Sequence, residues 1–154
     1  MQLDTLPGPY IRRLQQIAVA IFLQETEAHG VTPVQYGALQ AVHNAPGLDQ
    51  RTLAGLMGLD TSTTAGVVDR LEARGVLRRS ASPSDRRVKL LSITADGERL
   101  LSDLEPHAKA AQARMVAPLS DAEKPLFMDM LTRLVRAHND SSRSPTEGMD
   151  THQA

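Results

Sequence analysis

The sequence predicts a mainly α-helical protein with one small β-hairpin, on three observations. Apolar residues recur at three- and four-residue steps through most of the chain, with a cap residue ahead of most runs. Two short helical segments in the middle third are separated only by Gly58-Leu59-Asp60, room for nothing but a tight turn. Directly after them, two strand-like runs flank the polar stretch Ala81-Ser82-Pro83-Ser84-Asp85-Arg86-Arg87.

Residues 1–9, with Pro7, Gly8 and Pro9, read as an extended lead-in. From 10 to 29, Ile11, Leu14, Ile17, Ala18, Ile21 and Phe22 form an amphipathic stripe that Gly30 closes. Thr32-Pro33-Val34-Gln35 combines a cap, a first-turn proline and a glutamine three residues on, so a second helix opens there and stops near Asn44. Asp49 caps a third, with Leu53, Ala54, Leu56 and Met57. Asp60 or Thr61 caps a fourth, with Val68 and Leu71 on one face, and Gly75 suits the left-handed position past its end. The strands are expected at 76–80 and 88–93. Thr94 caps a helix carrying Leu100, Leu101, Leu104, Ala108, Ala111 and Met115. Ser120 and Glu123 form a capping box for a last helix with Leu126, Phe127, Met130, Leu131, Leu134 and Val135. Residues 139–154 lack periodicity and are expected to be a disordered tail.

Composition narrows the function. The 154 residues contain no cysteine, which excludes disulfides, thiolate metal sites, cysteine nucleophiles and thiol-based sensing. No apolar run is long enough to span a bilayer and the first residues do not resemble a secretory signal, so a cytoplasmic location is expected. His29, His43, His107, His138 and His152 lack metal-ligand spacing, and no metal or cofactor is expected. Nor is there a Ser-His-Asp order, a paired-carboxylate motif or a glycine-rich phosphate loop, so the sequence does not read as an enzyme. The net charge of −1 hides an asymmetry. Between Arg70 and Lys89 stand seven basic residues against two acidic ones, a net +5; the remaining ten basic and sixteen acidic residues give −6. A basic island on an acidic body holds a polyanion in one place.

Inside that island the residue types fit DNA. Thr61, Ser62, Thr63 and Thr64 open the fourth helix, where short hydroxyl side chains and unpaired N–H groups approach phosphates and base edges. Taken alone, they also fit a plain helix cap. Asp85, Arg86 and Arg87 occupy the hairpin tip, where an arginine suits a narrow minor groove and an aspartate fixes its direction. Taken alone, they also fit a solvated charged turn.

Residues 48–100 resemble the winged helix-turn-helix core of the MarR transcription regulators. The likeness rests on Val68-Asp69-Arg70-Leu71-Glu72-Ala73-Arg74-Gly75-Val76-Leu77, on the wing Asp85-Arg86-Arg87-Val88-Lys89-Leu90-Leu91-Ser92-Ile93-Thr94, and on Thr94, Gly97 and Leu100 in the spacing that opens the next helix. The helix order outside this core also matches, over about 10–138. The resemblance implies a winged helix-turn-helix at 31–93 flanked by dimerisation helices at 1–30 and 94–138. It also implies a homodimer on a palindromic double-stranded operator. The wide apolar faces of the long helices independently call for a partner copy. Carried over, the roles are Thr61, Ser62, Thr63 and Thr64 in the major groove, Arg70 and Arg74 on phosphates or base edges, Arg87 in the minor groove beside Arg86, and Asp85 orienting the wing.

The resemblance further implies a repressor released by a small effector. The family's pocket maps to Tyr10, Arg13, Gln16, Ile17, Gln35, Tyr36, Leu39, Gln40 and His43, a lining that suits a flat aromatic acid paired to Arg13. The first helix is similar to the branch controlling aromatic acid and nicotinate catabolism, which brings 6-hydroxynicotinate and benzoate-like acids forward. The alternative reading is a winged-helix protein-interaction module that binds neither DNA nor ligand.

Overall fold

A computed structural model describes residues 5–142, with side chains described to residue 139. The helices are α1 (Pro7–Glu25), α2 (Pro33–Asn44), α3 (Gln50–Met57), α4 (Thr61–Ala73), α5 (Ala95–Val116) and α6 (Glu123–Ser142). A 3-10 turn (Glu27–His29) follows α1, and strands β1 (Leu77–Ala81) and β2 (Lys89–Ile93) lie between α4 and α5. This is the mainly α architecture with a two-stranded antiparallel wing that the sequence predicts. The chain forms two compact units, Met1–Met115 and Val116–Ala154.

Most expected caps are present. Thr32 and Gln35 bond reciprocally at 3.1 and 3.2 Å, and Asp49 accepts from the Thr52 amide at 2.8 Å. Asp60 rather than Thr61 caps α4, accepting from the Thr63 amide at 2.7 Å. The turn after α3 closes when Gly58, at φ 64°, lets the Leu59 amide reach the Ala54 carbonyl at 3.0 Å. The chain therefore leaves one helix and is capped into the next within three residues.

Several boundaries differ from the sequence reading. Helix α1 begins at Pro7 because a proline in the first turn lacks only an N–H that has no helical partner anyway. It ends at Glu25, where the buried Thr26 hydroxyl donates to the Phe22 carbonyl at 2.8 Å. Strand β1 starts at Leu77 because the Val76 amide closes α4 on the Leu71 carbonyl at 3.1 Å, with Gly75 at φ 80°. Helix α6 runs to Ser142, four residues into the segment read as a tail; the rest of that tail lies outside the described residues.

Within the first unit the core gathers Ala38, Leu39 and Val42 of α2, Leu53 of α3, Val67, Val68 and Leu71 of α4, Leu77 and Leu91 of the strands, and Leu100, Leu101 and Leu104 of α5. Strand β2 pairs with β1 in the register Leu77 to Ile93 and Ala81 to Lys89. Its other edge takes the 47–49 segment, through Gly47 N to Leu91 O at 3.0 Å and Leu91 N to Leu48 O at 2.8 Å. The sequence reading missed this third edge because 45–49 looks like a loop. Thr94 joins wing to helix: its hydroxyl donates to the Gly75 carbonyl at 2.7 Å and accepts from the Gly97 amide at 3.1 Å. At Gly97 any side chain would collide with the Val76 carbonyl. A smaller cluster of Phe22, Ala108 and Ala111 ties α1 to α5, reinforced by Arg114 donating to Glu25 at 2.7 Å and Gln24 at 3.1 Å.

The second unit holds α6 behind the capping box of Ser120 and Glu123, whose reciprocal bonds are 3.2 and 2.9 Å. Leu126, Met128, Met130, Leu134 and Val135 are all exposed on it.

Candidate nucleic-acid interface and effector groove

Helix α4 decides which hydroxyls face outward. Its buried stripe is Thr64, Val67, Val68 and Leu71, spaced three, one and three apart. Thr61, Ser62 and Thr63 are exposed, whereas Thr64 is 1% exposed and donates its hydroxyl to the Asp60 carbonyl at 2.9 Å. Thr64 therefore does not face a groove. The run of four hydroxyl residues concealed the first position of the helix's inward face. Thr63 is exposed but partly committed, since its hydroxyl donates to Asp60 at 2.7 Å. The two bonds from Thr63, the amide first and the hydroxyl second, hold the Asp60 carboxyl below its ordinary pKa.

The basic island also divides. Arg74 is exposed, but its guanidinium is engaged, donating to the carbonyls of His29 at 2.5 Å and Gly30 at 3.2 Å. Arg79 is a strut from wing to helix. Its guanidinium donates to Asp69 and to Glu72 at 3.1 Å, and its amide donates to Glu72 at 2.9 Å. These bonds, the backbone one first, lower the Glu72 pKa, and Arg79 is raised, by its Glu72 bond foremost. Arg70, Arg78, Arg86, Arg87 and Lys89 are exposed as well.

At the wing tip Asp85 turns back on Arg87. Its Oδ1 accepts from the Arg87 amide at 3.0 Å and from Nε at 3.2 Å, and Oδ2 accepts from Nη2 at 3.4 Å. The Arg87 side chain is nonetheless 92% exposed, so it is directed rather than withdrawn. The amide bond first and the guanidinium second lower the Asp85 pKa. Between the wing and the starts of α3 and α4 lies an open cleft of about 590 Å³, edged by Arg51, Thr61, Asp85, Arg87 and Lys89. The aspartate-capped starts of α3 and α4 meet three cations there, with the carboxylates of Asp49 and Asp85 also on the lining. Arg51 went unnoticed in the sequence because it stands apart from the island; its position two residues after the Asp49 cap was the available signal.

The residues expected to line one effector pocket fall into separate groups. Leu39 is wholly buried in the core, and the Gln35 side chain is spent on its cap. Tyr10 is 61% exposed, and Ile17 is half-buried. Arg13 bonds Gln16 at 3.3 Å, and with Arg12 these border a shallow depression at the start of α1. Tyr36, Gln40 and His43 do come together. They edge a cavity of about 350 Å³ between α2 and α5 with Glu98, Ser102, Glu105 and Lys109. Tyr36 and Lys109 also border a neighbouring cavity of about 360 Å³ with Phe22, Pro33, Ala108 and Gln112. The Tyr36 ring stands 5.6 Å from that of Phe22, tilted 50°. His43 Nδ1 meets Glu98 at 2.9 Å, and Lys109 pairs with Glu105, so this groove is polar at one end and apolar at the other. The α5 residues were missed because only the apolar stripe of that helix was read; 98, 102, 105 and 109 form the adjacent stripe.

This geometry matches known regulators. The MarR family model matches residues 31–89. A protein assigned to transcriptional regulation of the hcr operon in Thauera aromatica is 37% identical over 141 residues, 91% of this chain and 85% of that protein. The chain belongs to the MarR family. Among solved structures, the PcaV transcriptional regulator of Streptomyces coelicolor in complex with its natural ligand shares 36% identity, with a TM-score of 0.79 over 89% of this chain and 96% of that one. BpsR of Bordetella bronchiseptica, whose DNA binding is regulated by 6-hydroxynicotinic acid, shares 28% identity, with a TM-score of 0.82 over 87% and 96%. This MarR-family chain is thus a transcriptional regulator of winged-helix fold. Among its described residues no helix is long and apolar enough to cross a membrane.

Proposed function

We propose that the protein is a cytoplasmic homodimeric repressor that binds a palindromic double-stranded operator and releases it when a small aromatic or heteroaromatic acid binds. The observation that carries the DNA reading is the cleft in which the starts of α3 and α4 meet the Asp85-directed Arg87. Thr61, Ser62 and Thr63 would enter the major groove and Arg87 the minor groove, with Arg51, Arg70, Arg86 and Lys89 on phosphates. The exposed apolar residues of α6 support a dimer, since a two-fold partner removes such a face from water and sets two recognition helices about one DNA turn apart.

For the effector, the groove beside Tyr36 supplies a ring surface, and Lys109 and His43 supply partners for an acid. The likeness to BpsR, whose DNA binding is regulated by 6-hydroxynicotinic acid, favours this class of ligand. The test is fluorescence anisotropy with a duplex selected from a random library by the wild-type chain. Specific, salt-dependent binding is expected, reversed by one member of a panel containing 6-hydroxynicotinate, benzoate and hydroxybenzoates. Failure to enrich any duplex would leave the protein-interaction reading in its place. Enrichment without release by any acid would remove the effector class alone.

A further inference from the structure

One arginine of the basic island spends its two-armed head on backbone. Arg74 caps the C-terminal end of α4, and its two terminal nitrogens bond the successive carbonyls of His29 and Gly30. Those carbonyls lie at the end of the 3-10 turn between α1 and α2, where helical carbonyls lack partners and a cation is favoured. The corner itself is held from several sides. The Thr26 hydroxyl is buried on the Phe22 carbonyl, Val31 is in the core, and Gly30 sits at φ 59°. The His29 ring stands 5.3 Å from that of His107 on α5. The acceptors are therefore fixed before Arg74 reaches them. At its other end α4 is fixed by Asp60, and the three exposed hydroxyl residues stand on its first turn. With one of these two pins removed, a small rotation of the helix moves such residues out of register with base edges, while the exposed cations still find phosphates.

We propose that Arg74 is a positioning residue for operator recognition: by tying the recognition helix to the α1–α2 corner it sets the angle at which Thr61, Ser62 and Thr63 are presented, and it takes no phosphate itself. The inference rests on the DNA-binding reading above. It differs from a phosphate role in a measurable way, since each lost phosphate contact lowers the slope of log affinity against log salt by about 0.9.

The experiment uses the full chain and its Arg74→Ala, Arg74→Lys and Arg70→Ala variants. Each is titrated over a salt series with the duplex enriched by the wild type and with a scrambled duplex of equal composition. For Arg74→Ala, affinity for the enriched duplex is expected to fall on the order of tenfold, as for a lost charge-assisted bond pair. Affinity for the scrambled duplex and both salt slopes are expected to stay as in wild type. Arg74→Lys, which keeps the charge but not the fork, should fall between. Arg70→Ala should lower the slope on both duplexes. Equal losses on both duplexes for Arg74→Ala, with or without a lower slope, would overturn the proposal, as would full recovery with lysine. A wild-type chain that enriches no duplex would bring down the DNA-binding reading itself, a result distinct from all of these.

Discussion

Leu53 and Leu134 are both leucines on amphipathic helices, yet the first is fully buried and the second is 54% exposed. The contrast extends to their regions. In the winged helix-turn-helix, the apolar stripes of α2, α3, α4 and both strands are mostly buried against one another and α5, with Leu56 of α3 and Val34 of α2 left exposed. In α6, Leu126, Met128, Met130, Leu134 and Val135 are all left open. Phe127 and Leu131 of the same helix are half-buried, and an open apolar face of this kind is what a partner surface covers. The first region buries most of its apolar stripes, and the second presents the open apolar face on which the proposed dimer rests.

The sharpest way to break that comparison is inside the core. Leu53→Ala should cost about 2–5 kcal/mol in urea unfolding, because the surroundings of a wholly buried leucine do not collapse into the void. Leu126→Ala, at a 61% exposed position, should cost less than about 0.5 kcal/mol at concentrations where the chain is monomeric. Equal costs would mean that α6 is packed as tightly as the core. Placing charge on the open face is the next test. The double variant Leu134→Glu, Val135→Glu should sediment as a monomer and bind its enriched duplex about 100-fold more weakly, since linking two half-site binders is worth about that much. A variant that remained dimeric would move the partner surface off this face.

Smaller effects separate the wing from the core that carries it. Arg87→Ala should weaken binding about tenfold and lower the salt slope by about two per dimer, with unfolding unchanged. An unchanged slope would remove Arg87 from the interface. Asp49→Ala should cost about 1 kcal/mol by removing the α3 cap. The bonds from Thr52, its hydroxyl first, lower the Asp49 carboxyl's pKa in the folded chain. A lowered carboxylate stabilises fully above its unfolded pKa, about 3.9, and that contribution is lost as the pH falls through the lower folded value. The gap between wild type and variant should therefore close on acidification below about pH 4. A gap that persisted there would mean the cap does not depend on the carboxylate's charge.

Much of this was legible locally. Capping residues at Thr32, Asp49 and Ser120, the glycine turn before Asp60 and the wing's Asp85 act over two to four residues, so sequence spacing shows them directly. Asp85 was expected to direct a neighbouring arginine, and it does bond Arg87. The errors were of a different kind. Thr64 and Leu39 were placed in sites though they are core, because one residue's rotation around a helix turns it from solvent to interior. Arg74 looked like another outward cation, because nothing in the sequence indicates that residues 44 and 45 positions away offer it two carbonyls.

By itself, then, the sequence determined the order and type of the elements, the helix-turn-helix with its wing, and the concentration of positive charge in one stretch. Each of these follows from periodicity, caps and composition within a short window. Only the tertiary structure decided which cations act as struts. It also split the expected effector lining and set the α5 residues Glu98, Ser102, Glu105 and Lys109 opposite Tyr36 and His43. A long flexible side chain takes whichever partner the packed fold brings within about 3 Å, and that distance is fixed by how distant segments meet.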